Sequence, residues 1–282
     1  MIVENLKQVL AKSKDTNRTL FIRNILKEEL QNFILSYIYN SKEYKELLFT
    51  GGTCLRKIYG LPRLSEDLDF DYTKDFKVEN FSKDIKEYFS GQLQYKNIET
   101  KVSGNRNTVF IKFYILKDLG LAESPHSNPV LFVRCDFSKE DYGIFDTEVN
   151  SISTRDFTFF ALSYDMPTLF ANKIGAFLSR VFFKGAGQQT AFKGRDVFDI
   201  VWFLEKAKRS NFELKPNWKR LKKMFPDRSR EELIDAVVKK AGSIDRVKVY
   251  QDLVPFIESE TSVKNFSAGF DTVIAREAKN LL

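Results

Sequence analysis

Aspartates at every second position of a short strand pattern constrain this chain more than any other feature of its sequence. In LSEDLDFDY, Asp67, Asp69 and Asp71 alternate with apolar residues. Aspartate is depleted in strands, so three on one face indicate either plain solvent or a ligand that attracts negative charge. Because residues two apart in a strand point the same way, Asp67 and Asp69 can direct both carboxylates to one point. Two carboxylates that close repel each other unless a cation lies between them, and Mg²⁺ suits a site that also binds phosphates.

The segment before this strand carries a phosphate-binding pattern. In TGGTCLRKIYG, Gly51, Gly52 and Thr53 precede a short helical pattern. Glycines let backbone amides approach a phosphate, a helix N-terminus favours anions, and a threonine hydroxyl can donate to one. Taken alone, the glycines could form an ordinary capped turn and the aspartates an exposed strand face. Their occurrence together at this spacing favours a nucleotide site.

A third acid, Asp136, ends the apolar strand pattern of PVLFVRCDFS. If that strand pairs beside the strand of Asp67 and Asp69, three acids can share two divalent ions, Mg²⁺ or Mn²⁺. Such a set suits in-line phosphoryl or nucleotidyl transfer from an NTP. An aspartate that caps a turn at the end of a strand is an equally good explanation of Asp136 by itself.

Two helical segments further along carry charged residues with possible roles. In FANKIGAFLSR, Lys173 and Arg180 are two helical turns apart and lie on nearly the same face. They can either bind triphosphate oxygens, lysine as a point charge and arginine as a fork, or simply extend their charged ends into solvent. In GRDVFDIVWFL, Asp196 and Asp199 lie one turn apart, and Arg195 could pair with Asp199 to brace the helix.

Periodicity divides the chain near residue 160. Helical spacing covers 18–40 and 78–95, and strand patterns cover 47–50, 107–117, 129–138 and most of 144–163. From Met166 onward the pattern is helical, including PTLFANKIGAFLSRVFF, apart from a glycine-rich polar loop. We therefore predict an α+β fold, with a mixed sheet and flanking helices in 1–160 and a helical C-terminal domain in 161–282.

The net charge of +7 is concentrated in one segment. Residues 206–240 contain 12 Lys and Arg against 5 Asp and Glu, and the rest of the chain is balanced. Within this segment Lys219, Arg220, Lys222 and Lys223 flank Trp218 and Phe225. Such a mixture suits contacts with a nucleic-acid backbone and some base stacking, although a solvated lysine-rich helix would look the same.

Composition excludes several classes of function. Cys54 and Cys135 are the only cysteines and His126 is the only histidine, so a disulfide scaffold, a zinc-finger site and a multi-histidine metal site are excluded. There is no P-loop motif, and a histidine-based triad would depend on His126 alone. The absence of a long apolar run and of a signal-peptide pattern predicts a cytoplasmic protein without a membrane partner.

Together these motifs resemble the AbiEii/AbiGii-type (MenT-like) toxins of the nucleotidyltransferase superfamily. The matching segments are FTGGTCLRKIYGLPRLSEDLDF, VRCDFS, NKIGAFLSR and RDVFDI, in the order of the family, between about residues 48 and 204. The resemblance implies a nucleotidyltransferase-like fold and Mg²⁺-dependent transfer of NMP from an NTP. It also implies a toxin of a toxin–antitoxin or phage-defence pair, a cognate antitoxin, and a tRNA or other RNA end as the acceptor.

The resemblance further implies a set of site residues. The metal-binding residues are Asp67, Asp69 and Asp136, the last also a candidate base for the acceptor hydroxyl. The nucleotide-binding residues are Gly51, Gly52, Thr53, Lys173, Arg180 and Asp199. One acid of RDVFD is expected to be essential, and the sequence does not decide between Asp196 and Asp199. We include Asp196 in the catalytic set, beside Asp67, Asp69, Asp136 and Lys173. Asp71 lies outside the family pattern and receives no role.

Two other hypotheses stay open. The acceptor could be a hydroxyl of a protein or of a small molecule, although the basic segment argues mildly against a neutral small acceptor. The chain could also be a catalytically silent protein that binds nucleic acid or a partner. The intact pair of Asp67 and Asp69 argues against that second possibility, since degeneration of a site would remove at least one motif.

Overall fold

The structure is a computed structural model. It describes residues 1–13, 18–121, 129–180, 182–184, 188–190 and 192–282, so His126 lies outside the described residues. The chain divides into two compact units. The first comprises Met1–Glu140 and Glu148–Ser163, and the second comprises Asp141–Thr147 and Tyr164–Leu282.

The first unit is built on a seven-stranded mixed sheet. Its helices are α1 (Ile2–Lys12), α2 (Thr19–Asn40), α3 (Gly51–Tyr59) and α4 (Val78–Glu87), the last followed by a π-helical turn, Tyr88–Gln92. Its strands are β1 (Leu48–Thr50), β2 (Asp67–Tyr72), β3 (Ile98–Val102), β4 (Thr108–Tyr114), β5 (Val130–Lys139), β6 (Thr147–Ser153) and β7 (Thr158–Tyr164). The strand order is β3-β4-β5-β2-β1-β7-β6.

The centre of the sheet is fixed by stacked aromatic rings. Phe49 on β1, Phe70 on β2 and Phe137 on β5 stack with ring centroids 5.5 and 5.6 Å apart, and all three are buried. Because side chains alternate across a strand, burying these rings on one face places the residue before Phe70 and the residue before Phe137 on the opposite face. Those residues are Asp69 and Asp136.

The second unit is mainly helical. Its helices are α5 (Met166–Ser179), α6 (Gly194–Arg209), α7 (Trp218–Met224), α8 (Arg230–Gly242), α9 (Arg246–Leu253) and α10 (Glu260–Glu277). Stacking of Phe170 on α5 against Phe203 on α6, at 4.4 Å, contributes to the core of this unit. Among the described helices, none is both long enough and apolar enough to cross a bilayer.

One predicted boundary is wrong. The helical pattern was expected to continue through FF at 182–183, but α5 ends at Ser179 and Arg180 takes an extended backbone conformation. Short antiparallel strands β8 (Phe182–Lys184) and β9 (Gln188–Thr190) follow where a helix end and a loop were expected. Aromatic residues suit strands, and the glycines next to them weaken a helix, which explains the change.

Candidate active site

Strand register brings the predicted acids together in the first unit. β2 runs parallel to β5, with Asp69 opposite Asp136 and Asp67 opposite Arg134. On its other side β2 is antiparallel to β1, with Thr50 opposite Asp69. Partners in register point to the same face of a sheet, so Asp67, Asp69 and Asp136 share one face. The condition set by the sequence, that the strand of Asp136 lies beside that of Asp67 and Asp69, is therefore met.

The N-terminus of α3 lies directly against this acidic face. Helix α3 begins at Gly51, immediately after β1, so its first N–H groups have no acceptor within the helix. Gly51 has a φ of +78°, and a methyl group there would lie 2.0 Å from Asp69 Oδ2. The Asp69 carboxylate thus packs onto the backbone at the start of the helix. The backbone segment that the sequence predicts to bind phosphate is therefore in contact with a carboxylate.

A buried arginine accompanies the second glycine. A methyl group at Gly52 would lie 2.8 Å from both Arg63 Nη2 and Ser65 Oγ. Arg63 is buried, and its Nη1 donates to the carbonyl of Leu64 at 2.9 Å. The guanidinium adds a positive charge at a helix end that already favours anions. Sequence reasoning did not single out Arg63, although PRLSED stands between the two predicted motifs.

Thr53 is used differently from the sequence-based expectation. Its side chain is buried, and its hydroxyl donates to the main-chain carbonyl of Asp67. This hydrogen bond ties the first turn of α3 to the start of β2. The backbone N–H groups of the turn, rather than this hydroxyl, are the donors that a phosphate can use.

Asp136 is held by two neighbours. Thr108 Oγ1, in register on β4, donates to Asp136 Oδ1 at 2.5 Å. Arg134 Nε lies 3.0 Å from Oδ1 and 2.8 Å from Oδ2 of the same carboxylate. Burial acts to lower the pKa of Arg134, but Asp136, followed by Asp67 and Asp69, raises it above its ordinary value. Arg134 therefore balances part of the charge that the three acids bring to this face, a role that the sequence did not indicate.

The donor set suits a divalent cation only in part. Across the part of the chain that the structure describes, no group of three or more His, Cys, Asp or Glu side chains is close enough together to hold a metal ion. Asp69 packs on Gly51, and Asp136 is taken up by Thr108 and Arg134. The pair of Asp67 and Asp69 offers oxygen donors on one face, which are the ligands that Mg²⁺ prefers.

The predicted residues of the second unit form two ion pairs between α5 and α6. Lys173 Nζ lies 2.6 Å from Asp199 Oδ2, and Asp199 is completely buried. Arg180 Nε lies 2.6 Å from Asp196 Oδ2, and Arg180 Nη2 donates to Oδ1 at 3.4 Å. Lys240 on α8 lies near this second pair. Burial lowers the Lys240 pKa, and the attraction of Asp196 offsets that only partly.

The basic segment is only partly available to a ligand. Arg220 on α7 is buried, donates to Asn172 Oδ1 at 2.6 Å and to the carbonyl of Ile144 at 3.0 Å, and lies over the ring of Tyr142. Its inclusion among nucleic-acid contacts was therefore wrong, because this arginine packs inside the second unit. Lys219, Lys222 and Lys223 are exposed on the same helix.

Comparison with known proteins identifies relatives of this arrangement. The sequence model described as "Nucleotidyl transferase AbiEii toxin, Type IV TA system" matches residues 34–276. No curated protein sequence matches the chain. The structure resembles MenT4, a nucleotidyltransferase toxin from Mycobacterium tuberculosis H37Rv, with a TM-score of 0.52, 14% identity, and coverage of 98% of this chain and 93% of that chain.

A second solved structure is JHP933 from Helicobacter pylori, with a TM-score of 0.48, 17% identity, and coverage of 92% of this chain and 93% of that chain. The likeness to MenT4 extends over nearly the whole chain and concerns the fold. It confirms the predicted nucleotidyltransferase-like mixed sheet with flanking helices and a helical C-terminal half.

Proposed function

The chain belongs to the AbiEii nucleotidyltransferase toxin family of type IV toxin–antitoxin systems, and we propose that it is a Mg²⁺-dependent enzyme that transfers NMP from an NTP to the end of a tRNA or another RNA. One observation supports this proposal above the others. The register of β2 with β5 gathers Asp67, Asp69 and Asp136 on one face, and the N-terminus of α3 touches that face at Gly51.

The N-terminus of α3 is suited to the NTP phosphates. Its first N–H groups and its dipole attract anions, and the buried Arg63 beside Gly52 adds a positive charge. The glycines leave room for a phosphate oxygen to approach the backbone. In this proposal Gly51, Gly52 and Thr53 contribute backbone donors, and the Thr53 hydroxyl keeps the helix fixed to β2.

Asp67 and Asp69 would hold the divalent ion next to these phosphates. When bound, Mg²⁺ (or Mn²⁺) supplies charge neutralisation at the reacting phosphate and orientation of the attacking hydroxyl. Asp136 lies one strand further from α3, where it would accept a hydrogen bond from the acceptor hydroxyl. Thr108 and Arg134 set the orientation of its carboxylate.

Resemblance to the family motifs supports a nucleotide-binding role for Lys173 and Arg180. Lys173 would bind the triphosphate as a point charge, and Arg180 would assist it. Since Asp199 is buried and paired with Lys173, we propose that Asp199 acts by orienting that lysine. Asp196 holds Arg180 in the same way and stays our choice for the essential acid. The family also implies a cognate antitoxin.

A transfer assay tests the reaction. Purified protein, Mg²⁺ and each labelled NTP in turn are incubated with total tRNA, using wild type, Asp69→Asn and Asp71→Asn. We expect label on RNA with wild type and Asp71→Asn, and a loss of about 100-fold or more with Asp69→Asn, because several kcal/mol of charge stabilisation disappear. Asp71 is a matched control, since it lies on the same strand face two residues beyond Asp69.

Other outcomes separate the alternatives. Label on a protein or on a small molecule, with none on RNA, would keep the transferase and replace the acceptor. Full activity of Asp69→Asn would remove the metal-pair argument. Absence of label everywhere, with RNA still bound, would favour the silent binding protein.

A further inference from the structure

The acidic face of the sheet continues across β5, β4 and β3 with a different set of side chains. In register with Asp67 stand Arg134 on β5, Phe110 on β4 and Lys101 on β3. The neighbouring row places Phe132 on β5 opposite Lys112 on β4. We call the surface formed by Lys101, Phe110, Lys112 and Phe132 the β3–β5 face.

This face is open, whereas the reverse face of the same strands is core. Phe132 is 43% exposed, and Phe110 is half-buried beside it, with ring centroids 6.1 Å apart and an interplanar angle of 68°. Val109, Ile111 and Val133, which point the other way, are completely buried. The two rings form an apolar spot on an otherwise polar sheet face, where a ligand with flat rings could bury apolar surface.

The charged groups around the two rings are three lysines and two glutamates, and two of the lysines are paired with those glutamates. Lys101 is exposed, and Lys27 Nζ lies over the Phe132 ring at 4.8 Å while contacting Glu66 at 3.2 Å. Lys112 is 3.2 Å from Glu99, the acid that this face contributes on β3. Proteins bind single-stranded nucleic acid by stacking its bases on aromatic rings and by contacting its phosphates with basic side chains. The β3–β5 face offers both kinds of group.

The strand order places the β3–β5 face and the start of α3 on opposite sides of Asp69. The phosphate-binding start of α3 follows β1, on one side of Asp69, and the β3–β5 face lies on the other side, beyond Asp136. In-line transfer requires the attacking hydroxyl to enter opposite the leaving pyrophosphate. We propose that the single-stranded end of the acceptor RNA lies on the β3–β5 face, with bases stacked on Phe110 and Phe132. This inference rests on the proposed function.

Binding of a short RNA tests this surface directly. Fluorescence anisotropy would measure the Kd of a labelled single-stranded RNA of about ten nucleotides for wild type, Phe110→Ala, Phe132→Ala, Phe132→Trp and Phe160→Ala. Phe160 on β7 is 66% exposed in the same unit and is the matched control. We expect each alanine on the face to raise Kd by about tenfold or more, with Phe132→Trp and Phe160→Ala close to wild type. Thermal melting establishes that each variant is folded.

The transfer assay supplies the second measurement. The Phe110 and Phe132 alanine variants are expected to raise KM for RNA and to leave KM for the NTP unchanged. Equal RNA affinity in all variants would overturn the proposal, and so would a rise in KM for the NTP alone, since the rings would then bind the donor base. If wild type labels RNA while these variants behave as wild type, only the stacking surface fails. If wild type labels no RNA and binds none, the proposed function fails as well.

Discussion

Gly51 meets two requirements at once, and an alanine would violate both. Its φ of +78° is strained for any residue with a Cβ, and the added methyl group would lie 2.0 Å from Asp69 Oδ2. The first effect costs about 1–2 kcal/mol of folding stability. The second forces the Asp69 carboxylate away from the start of α3. We therefore expect Gly51→Ala to lose transfer activity by much more than its loss of stability explains.

Gly60 provides the control for this prediction. It ends α3 with a φ of +75°, and a methyl group there would meet nothing within 4 Å. Gly60→Ala should therefore lose a similar amount of stability in denaturant unfolding while it retains activity and Mn²⁺ affinity. If both variants lose activity equally, backbone strain alone is responsible and the contact with Asp69 has no functional role.

Single residues also show where prediction from sequence ends. The alternation of aspartates with apolar residues is local, so the shared face of Asp67 and Asp69 followed from the sequence. The pairing of Asp69 with Asp136 depends on which strands are neighbours in the sheet, which left Asp136 as a conditional prediction. The placement of Arg63 against Gly52, and of Arg134 against Asp136, depends on side-chain directions that no local pattern encodes.

At the scale of elements, an ion-pair cluster fixes α3 against α2. Glu28 on α2 accepts from Arg56 Nε at 2.5 Å and from Arg56 Nη2 at 3.2 Å, and Lys57 Nζ lies 3.7 Å from Glu28 Oε1. Burial alone would raise the pKa of Glu28, but Arg56 and Lys57 outweigh it and hold the pKa below 4.5. Since α3 begins with the turn that we propose to bind phosphate, this cluster holds the helix of the candidate site in place.

We expect Glu28→Gln to lower the free energy of unfolding by about 1–3 kcal/mol at pH 7. Because the folded-state pKa of Glu28 is depressed, its contribution is complete well above the ordinary glutamate pKa and is lost as the pH falls through the folded-state pKa. The difference from wild type should therefore shrink in urea titrations below pH 4.5. The exposed pair of Glu46 and Lys74, 2.6 Å apart, gives the control, and Glu46→Gln should change stability little at any pH.

A second element-scale prediction separates structure from catalysis in α5 and α6. Asp199→Asn leaves Lys173 with a weakened partner in a buried site and should cost about 3–5 kcal/mol of stability. The double variant Lys173→Met/Asp199→Leu replaces the pair by apolar groups and should recover most of that stability, but no activity if Lys173 binds the triphosphate. Recovery of activity in the double variant would make the pair purely structural.

Asp271 supplies the matched acid for this experiment. It pairs with Arg246 at 2.7 Å in the same unit, but both side chains are partly exposed. Asp271→Asn should therefore cost no more than about 1 kcal/mol.

The prediction of α5 from sequence was correct for its start and wrong for its end, because helical periodicity continues past Ser179 while the backbone turns into β8.

At the scale of the whole molecule, the net charge of +7 concerns association with other molecules rather than folding. The sequence located the basic surplus within 206–240, but charge counting cannot distinguish Arg220, which is buried, from the exposed Lys219, Lys222 and Lys223. Burial of one basic residue among four follows from the packing of α7 within its unit. The number of charges available to an RNA backbone is therefore smaller than the sequence suggests.

Replacement of Lys219, Lys222 and Lys223 by glutamine tests the proposed RNA acceptor at this scale. If each lysine contacts a phosphate, the triple variant should bind single-stranded RNA more weakly, and the slope of log Kobs against log salt should decrease in magnitude by about 2. A triple variant of Lys42, Lys45 and Lys86, which are exposed in the first unit, removes the same net charge and serves as the control. An equal decrease of the slope in both variants would mean that RNA binding depends only on the total charge of the protein. An unchanged slope in the α7 variant would make α7 an ordinary solvated helix. A decrease confined to the α7 variant would make its exposed lysines part of the RNA-binding surface.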